Sequence, residues 1–270
     1  MQTPKLVASD VDGTLLDPME SVTARTAAAV ARTQAAGTQF VLASGRPPRW
    51  IPRVALAAGV SGYAVCANGA VLYDISADRV LGAHTLSAQQ LGDLAHALHA
   101  AMPECRMATE RVGESATGLN GREFVNEVGY EHPWTGDNLY EAPRAEVLGH
   151  PAVKLLVRHT GMTSAELLEA AVALVGDVVD ITYSSSIGMV EMSVGGITKG
   201  SGLAEVADRL GVVAADVVAF GDMPNDVPML SWAGHGVAMA NAHADVLAVA
   251  DEITAANSDD GVAQVLERWF

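Results

Sequence analysis

At 270 residues the chain has room for one large or two moderate domains. Half of its residues are hydrophobic but only 5% are aromatic, so a core has to be assembled from Ala, Val and Leu. With 32 acidic against 16 basic residues the formal net charge is −16, which repels nucleic acid and anionic membrane surfaces and leaves any anionic small molecule dependent on a local cluster of Lys, Arg and metal.

In chain order, the apolar run 5–9 reads as a short strand, followed by an Ala-rich helix over 23–36 that Gly37 stops. A second strand, 38–43, ends at Ser44-Gly45-Arg46. A helix over 50–58 and a third strand over 63–66, ending at Asn68-Gly69, complete βαβ spacing, which predicts a parallel sheet. Residues 71–73 and 79–83 read as a hairpin. The texture then changes: a helix over 88–101 with Ser87 as its cap, a polar Gly-containing stretch over 109–143 with no clear assignment, a strand over 153–158, a helix over 164–175 and strands over 178–183 and 189–194. The first pattern resumes with a helix over 201–210, a strand over 217–220, a helix over 226–233, a short strand over 236–239 and a last helix over 261–269. The expected organisation is therefore α/β: one parallel-sheet domain built from residues 1–83 and 194–270, with a second, α+β domain over 84–193 inserted between.

Several alternatives fall away. The longest uncharged run, 54–73, is broken by Gly59, Gly62, Asn68 and Gly69 and reads as core rather than membrane span. No secretory leader is expected. Cys66 and Cys105 fit no metal spacing and read as reduced thiols, so a cytoplasmic protein is expected. His96 and His99 lie three apart on a helix, but no Cys or carboxylate nearby completes a metal site, and His132, His150 and His159 are scattered.

The chemistry lies at strand ends. Asp10-Val11-Asp12-Gly13-Thr14 follows the first strand directly, and Gly221-Asp222-Met223-Pro224-Asn225-Asp226 follows the strand 217–220. In open parallel sheets ligands bind beyond the carboxyl ends of the strands, so Asp10, Ser44 and Asp222 converge on one edge, and Lys199, just before the helix 201–210, can join them. A phosphoryl group in transfer spreads negative charge over its equatorial oxygens, and its catalysis is mostly positioning and electrostatics. Mg²⁺ prefers hard oxygen ligands and keeps several waters, so Asp10, Asp222 and the backbone carbonyl of Asp12 suffice to bind it. Asp10 is the candidate nucleophile, forming an aspartyl phosphate, and Asp12 the candidate general acid and base. Ser44 and Lys199 are placed on the phosphoryl oxygens, and Asn225 and Asp226 on metal-bound water and the lysine.

Each piece alone has a plainer reading. An Asp-x-Asp after a strand is an ordinary turn or helix cap, Ser44-Gly45 is ordinary turn material, and an isolated Lys199 is a solvated charge. The order Lys199-Gly200-Ser201 is also wrong for a nucleotide-binding P-loop. It is the set, in this order and at these edges, that points to phosphoryl transfer.

The same residues resemble the haloacid dehalogenase superfamily of phosphohydrolases, in its Cof-like branch. Asp10-Val11-Asp12-Gly13-Thr14 is similar to the nucleophile motif of that family, Ser44-Gly45 to its second motif, Lys199 to its third, and Gly221-Asp222 with Asn225-Asp226 to its fourth. Asn68-Gly69-Ala70, the segment 236–242 and Asp259-Asp260-Gly261 add Cof-like echoes. The resemblance implies a Rossmann-like core with a cap inserted between the second and third motifs, and Mg²⁺-dependent hydrolysis of small phosphate monoesters such as sugar phosphates, with the cap setting specificity. The segment before Lys199, Met192-Ser193-Val194-Gly195-Gly196, lacks the proline common there in relatives.

The substrate-binding set expected on this basis is Ser44, Gly45, Arg46, Lys199 and Asn225. Arg49 is a further candidate, and Arg111, Arg122, His132 and Trp134 are candidate leaving-group contacts in the inserted domain. The expected partner is a small phosphate ester, with no nucleic acid or membrane, and the expected state a monomer or weak homodimer. Two other functions use the same residues: a phosphotransferase or mutase working through the same aspartyl phosphate, and a non-catalytic sugar-phosphate sensor, from which loss of Asp10 or Asp12 would be expected.

Overall fold

A computed structural model describes residues 2–132 and 139–270, in which the chain forms two compact units, one made of residues 1–81 and 198–270 and the other of residues 82–197. The first segment carries β1 (Leu6–Ser9), α1 (Ala24–Ala35), β2 (Gln39–Ala43), α2 (Ile51–Ala58), β3 (Tyr63–Cys66), β4 (Val71–Asp74) and β5 (Arg79–Ala83). The middle segment carries α3 (Ala88–Ala101), β6 (Arg106–Glu110), β7 (Phe124–Glu127), β8 (Leu139–Ala142), α4 (Arg144–Val147), β9 (Lys154–Arg158), α5 (Ser164–Val175), β10 (Val179–Thr182) and β11 (Met189–Val194). The last carries α6 (Lys199–Leu210), β12 (Val217–Gly221), α7 (Val227–Trp232), β13 (His235–Ala238), α8 (Ala244–Val249), β14 (Glu252–Ile253) and α9 (Gly261–Leu266).

In the discontinuous unit the strand order is β14-β13-β12-β1-β2-β3-β4-β5. Strands β14 to β3 are parallel, and β4 returns antiparallel on β3. Central parallel strands are covered on both faces, which is why β1, β12 and the last four residues of β2 are fully buried, unbroken runs of apolar and small residues. Leu6, Ala8, Val41, Val217 and Ala219 pack with Leu203 and Val206 of α6 and Met229 and Leu230 of α7. The chain steps from β1 outward through β2 and β3, then re-enters on the other side of β1 through β12. The strand order therefore reverses at β1, and the carboxyl ends of β1 and β12 lie side by side.

The continuous unit is a six-stranded sheet of order β10-β11-β9-β6-β7-β8, antiparallel except for β7 beside β8. Its core joins Leu91, Leu94 and Leu98 of α3 and Leu167 and Ala171 of α5 to Met107, Leu155, Val157 and Val190. Side chains alternate across a strand, so Lys154, Leu156 and Arg158 of β9 face the other way from Leu155 and Val157. The expected strands and helices outside 109–143 are present within a few residues. In and beside that stretch lie β6, β7, β8 and α4, which the sequence reading leaves unassigned; α8 and β14 are unassigned as well. Among the described residues no helix is long and apolar enough to cross a membrane.

Candidate active site

β1 ends at Ser9 and the chain turns at once. Asp10 is extended, Gly13 takes φ 78°, and the Leu16 N–H closes the turn on the Val11 carbonyl at 2.9 Å. A Cβ at position 13 would collide with the Asp222 carboxylate, so glycine is what lets the turn lie against that side chain. Two bonds tie the strand ends together: the Asp10 N–H donates to the Phe220 carbonyl at 3.0 Å, and Thr14 Oγ1 donates to Asp222 Oδ1 at 2.7 Å.

Lys199 is the first residue of α6 rather than a residue preceding it. Thr198 is extended and its Oγ1 accepts from the Ser201 N–H at 3.2 Å, so the cap falls two residues earlier than the apolar pattern suggested. The lysine side chain is 1% exposed, and its Nζ donates to Asp10 Oδ1 and Asp226 Oδ1, each at 2.7 Å. Asp226 Oδ2 accepts from the N–H groups of Asp222 and Met223, both at 3.0 Å. Both oxygens of Asp226 therefore have partners inside the protein, which suits a supporting residue, whereas Asp10 Oδ2 is left for chemistry.

The electrostatics are unbalanced. Asp10, Asp222 and Asp226 are all buried, and one oxygen from each lies within 4.8 Å of the others, the one such metal-sized cluster among the described residues. Burial, then the neighbouring Asp226 charge, pushes the Asp10 carboxyl well above the usual carboxylate range against the opposing pull of Lys199. Burial and Asp226 likewise push Asp222 up to about 6. Burial works to lower Lys199, but Asp10 and Asp226 outweigh it and hold the ammonium charged. One lysine does not offset three carboxylates, and a divalent cation on the hard oxygens of Asp10 and Asp222 fits both the donor set and the charge deficit.

The remaining predicted residues lie around this cluster. Ser44, fully buried at the end of β2, accepts on Oγ from the Arg46 N–H at 3.0 Å, which leaves its own proton to donate. Gly45 links it to Arg46, whose guanidinium forks onto Asp12, Nε to Oδ2 at 2.8 Å and Nη2 to Oδ1 at 2.5 Å. The Asp12 side chain is 55% exposed, unlike that of Asp10 at 6%. Asn225 is buried; its Nδ2 donates to Asn68 Oδ1 at 3.1 Å, and its own Oδ1 is buried with no partner. All of the predicted core residues thus meet at one edge of the sheet.

The outer candidates have partners within their own units. Arg49 stacks over the Trp50 ring at 4.9 Å. Arg111 is nine-tenths buried with Nη2 on the carbonyls of Glu146 and Val147, Arg122 lies 5.3 Å over the Tyr140 ring, and His132 packs against Phe124 and Tyr130. Each has a packing role inside the continuous unit, so none of the three needs a leaving group to explain it. Trp134 lies outside the described residues. Sequence reasoning missed Asn241, whose Nδ2 donates to the Gly13 carbonyl at 2.9 Å, and Asn257, which reaches the Leu16 carbonyl at 2.8 Å. Both brace the nucleophile turn from over 200 residues away, and no local pattern announces that.

With this geometry in hand, the likenesses to known proteins are consistent. Residues 7–266 match the profile of the haloacid dehalogenase-like hydrolases. The chain is 30% identical to the pyridoxal phosphate phosphatase YbhA of Escherichia coli strain K12, over 98% of both chains. It is 28% identical to the 5-amino-6-(5-phospho-D-ribitylamino)uracil phosphatase YcsE of Bacillus subtilis strain 168, over 98% of this chain and 95% of that one. A haloacid dehalogenase-like hydrolase from Bacteroides thetaiotaomicron has the same fold, with a TM-score of 0.78 at 25% identity over 99% of this chain and all of that one.

Proposed function

The chain belongs to the haloacid dehalogenase-like hydrolases and is a phosphatase, and from that premise we propose that it hydrolyses small-molecule phosphate monoesters with Mg²⁺ through a phosphorylated Asp10. The observation that carries the proposal is the buried cluster of Asp10, Asp222 and Asp226, with Lys199 bridging Asp10 and Asp226.

Asp10 and Asp222, with the Asp12 carbonyl, would hold the cation. When bound, it supplies positive charge that keeps Asp10 ionised and screens the approach of a carboxylate to an anionic phosphate. Asp10 Oδ2 attacks phosphorus; the new O–P bond forms as the ester P–O bond breaks, and Asp12 gives its proton to the departing alkoxide oxygen. Lys199 and the Ser44 hydroxyl donate to the phosphoryl oxygens, where charge accumulates in transfer. Water then attacks the aspartyl phosphate, Asp12 takes back a proton, and the bond to Asp10 breaks to release inorganic phosphate and the free carboxylate. The discontinuous unit is the catalytic domain in this reading, and the continuous unit a cap that selects the leaving group.

That two relatives are named for phosphate esters of heterocyclic, polar metabolites supports a substrate among small metabolites of that kind. The buried thiols and the net charge of −16 fit a cytoplasmic enzyme with a small-molecule partner, as a monomer or weak homodimer. The test is p-nitrophenyl phosphate and a metabolite-ester panel, with and without Mg²⁺, for the native protein and Asp10→Asn. Mg²⁺-dependent release of phosphate that disappears in the variant is expected; release that survives in Asp10→Asn would overturn the mechanism.

A further inference from the structure

We propose that Asn241 is a positioning residue for the cation site, pinning the Gly13 carbonyl so that the turn after Asp10 keeps its place beside Asp222. The inference rests on the reading above that puts a cation on Asp10 and Asp222. The register of β1 and β12 ends at Ser9 beside Phe220, and the Asp10 N–H bond to the Phe220 carbonyl is its last rung. Asp10 and Asp222 therefore stand beyond the sheet, in turns whose spacing other bonds must set. The first of these turns pivots on Gly13, at φ 78°. Glycine moves between left-handed and ordinary backbone at little cost, so the peptide from Gly13 to Thr14 is free to rotate unless its carbonyl is held.

Asn241 holds it from the segment that follows β13. Its Nδ2 donates to the Gly13 carbonyl at 2.9 Å, and its Oδ1 accepts from the Asn257 N–H at 3.0 Å. Both partners are backbone groups, one only an acceptor and the other only a donor, so the carboxamide fits one way round. Asn257 Nδ2 donates in turn to the Leu16 carbonyl at 2.8 Å, gripping the far end of the same turn. The segment that carries Asn241 grips the second acidic turn as well. The Met239 N–H donates to the Gly221 carbonyl at 3.1 Å and the His243 N–H to the Asp222 carbonyl at 2.8 Å. One short segment therefore touches both of the turns that supply cation ligands.

The consequence runs through Thr14. A peptide group is planar, so fixing the Gly13 carbonyl fixes the Thr14 nitrogen and with it the place from which the Thr14 side chain starts. Thr14 Oγ1 donates to Asp222 Oδ1 at 2.7 Å, which sets the rotation of that carboxylate. Asn241 is exposed, whereas Thr14 and Asp222 are buried. An exposed carboxamide contributes little to folding through its hydrogen bonds, because water replaces them when they are lost. Holding a ligand turn is a different demand. Cation affinity depends on where the oxygens stand before the ion arrives, and loss of a residue that orients a ligand changes it by about 10- to 100-fold.

The test is a titration of the metal-free full chain with Mg²⁺ and no substrate, followed by the amide NMR signals of Gly13 and Asp222. Asn241→Ala is expected to bind Mg²⁺ about 10-fold more weakly than the native protein, with a metal-free melting temperature within about 3 °C of native. An affinity within about twofold of native, whatever the melting temperature, overturns the proposal and makes the two bonds a brace for the fold. On p-nitrophenyl phosphate the same variant should need about 10-fold more Mg²⁺ for half-maximal rate and recover native kcat once Mg²⁺ saturates. A loss of kcat that added Mg²⁺ does not restore would refute a role through the cation. Because Asn241 acts through Thr14, the double variant Asn241→Ala/Thr14→Val should bind Mg²⁺ no more weakly than the weaker single variant. Losses that multiply would sink that route. Should Asn241→Ala fail to fold, Asn257→Ala carries the titration: it loses the bond to Leu16 and should bind Mg²⁺ about threefold more weakly, and unchanged affinity overturns the proposal. A native protein that binds Mg²⁺ but hydrolyses no ester overturns the phosphatase reading and leaves the binding result standing; one that binds no Mg²⁺ overturns both.

Discussion

Both units of this protein bury charge, but they balance it differently. In the continuous unit several buried charges each meet one opposite charge: Lys154 on β9 with Glu191 on β11, Glu127 on β7 with the partly exposed Arg144 on α4, and Arg111 with the partly exposed Glu146. In the discontinuous unit three carboxylates cluster at the end of a sheet and one lysine bridges two of them. Paired buried charges close their own account and hold strands in register; an unbalanced cluster is complete only with something else bound. The contrast separates charge that serves the fold from charge that serves a reaction, and it predicts opposite responses to mutation.

The largest effect should come from the reactive side. Asp12→Asn is expected to cost roughly 10²- to 10⁴-fold in kcat on alkyl phosphates, the range for general acid–base help. The loss should be smaller on p-nitrophenyl phosphate, whose leaving group needs little protonation. Asp12 is half exposed, so its replacement should barely move the melting temperature. Equal losses on both esters would remove Asp12 from the proton-transfer role.

Next come the paired charges. Lys154 and Glu191 are 5% and 7% exposed, and Ser184 Oγ adds a bond to Glu191. Removing one partner of a buried pair leaves an uncompensated charge, at about 3–5 kcal/mol. Lys154→Met should therefore destabilise the protein by about that amount in denaturant unfolding, and Lys154→Met/Glu191→Leu should recover most of it. If the double variant is as unstable as the single, the pair is more than a structural brace, and the comparison between the units fails at that point.

The same contrast explains what could be read from the sequence. Tyr63–Cys66, Met189–Val194 and the helix Ala88–Ala101 were legible because an apolar run, alternation or a capping Ser87 announces them. β6 and β7 were not, because Arg106, Glu110, Asn126 and Glu127 sit at positions where an apolar residue would have marked a buried strand. Their charges are accommodated by partners distant in the chain, such as Arg144 for Glu127, which no local window contains. The site was legible to the extent that its residues follow strand ends: Asp10, Ser44 and Asp222 could be placed on one edge from order alone. The fork of Arg46 onto Asp12 and the Asn68–Asn225 bond could not, since both are choices of side-chain partner across the fold.

A cation should act on one unit and in one direction with pH. The metal-free Asp222 carboxyl, lifted to about 6 by burial and Asp226, sits above its ordinary value of 3.8. A group raised on folding contributes stability that is complete below the ordinary value and is lost as pH climbs through about 6, because the folded protein holds the proton more tightly than the unfolded chain. Asp10, raised in the same direction, adds to this. Metal-free protein should thus lose stability from this cluster between about pH 4 and 7. Mg²⁺ should restore it, raising the melting temperature more at pH 7.5 than at pH 5, where protons compete for the same oxygens. An equal or larger shift at pH 5 would place the cation elsewhere.

The smallest effect on stability should be that of Arg46, and it sharpens the comparison because this pair lies in the reactive unit yet is balanced. The guanidinium meets both oxygens of Asp12, but with Asp12 half exposed the pair is screened and should contribute no more than about 1 kcal/mol. Its consequence should instead be kinetic. While Arg46 holds both oxygens, Asp12 is not free to hand a proton to a leaving group, so the fork must open as the ester is cleaved. Arg46→Gln should then leave unfolding within about 1 kcal/mol of native while changing kcat and KM by different factors. Equal stability with unchanged kinetic constants would mean that the fork is only surface pairing. A stability loss several times larger would show that this charge, too, serves the fold.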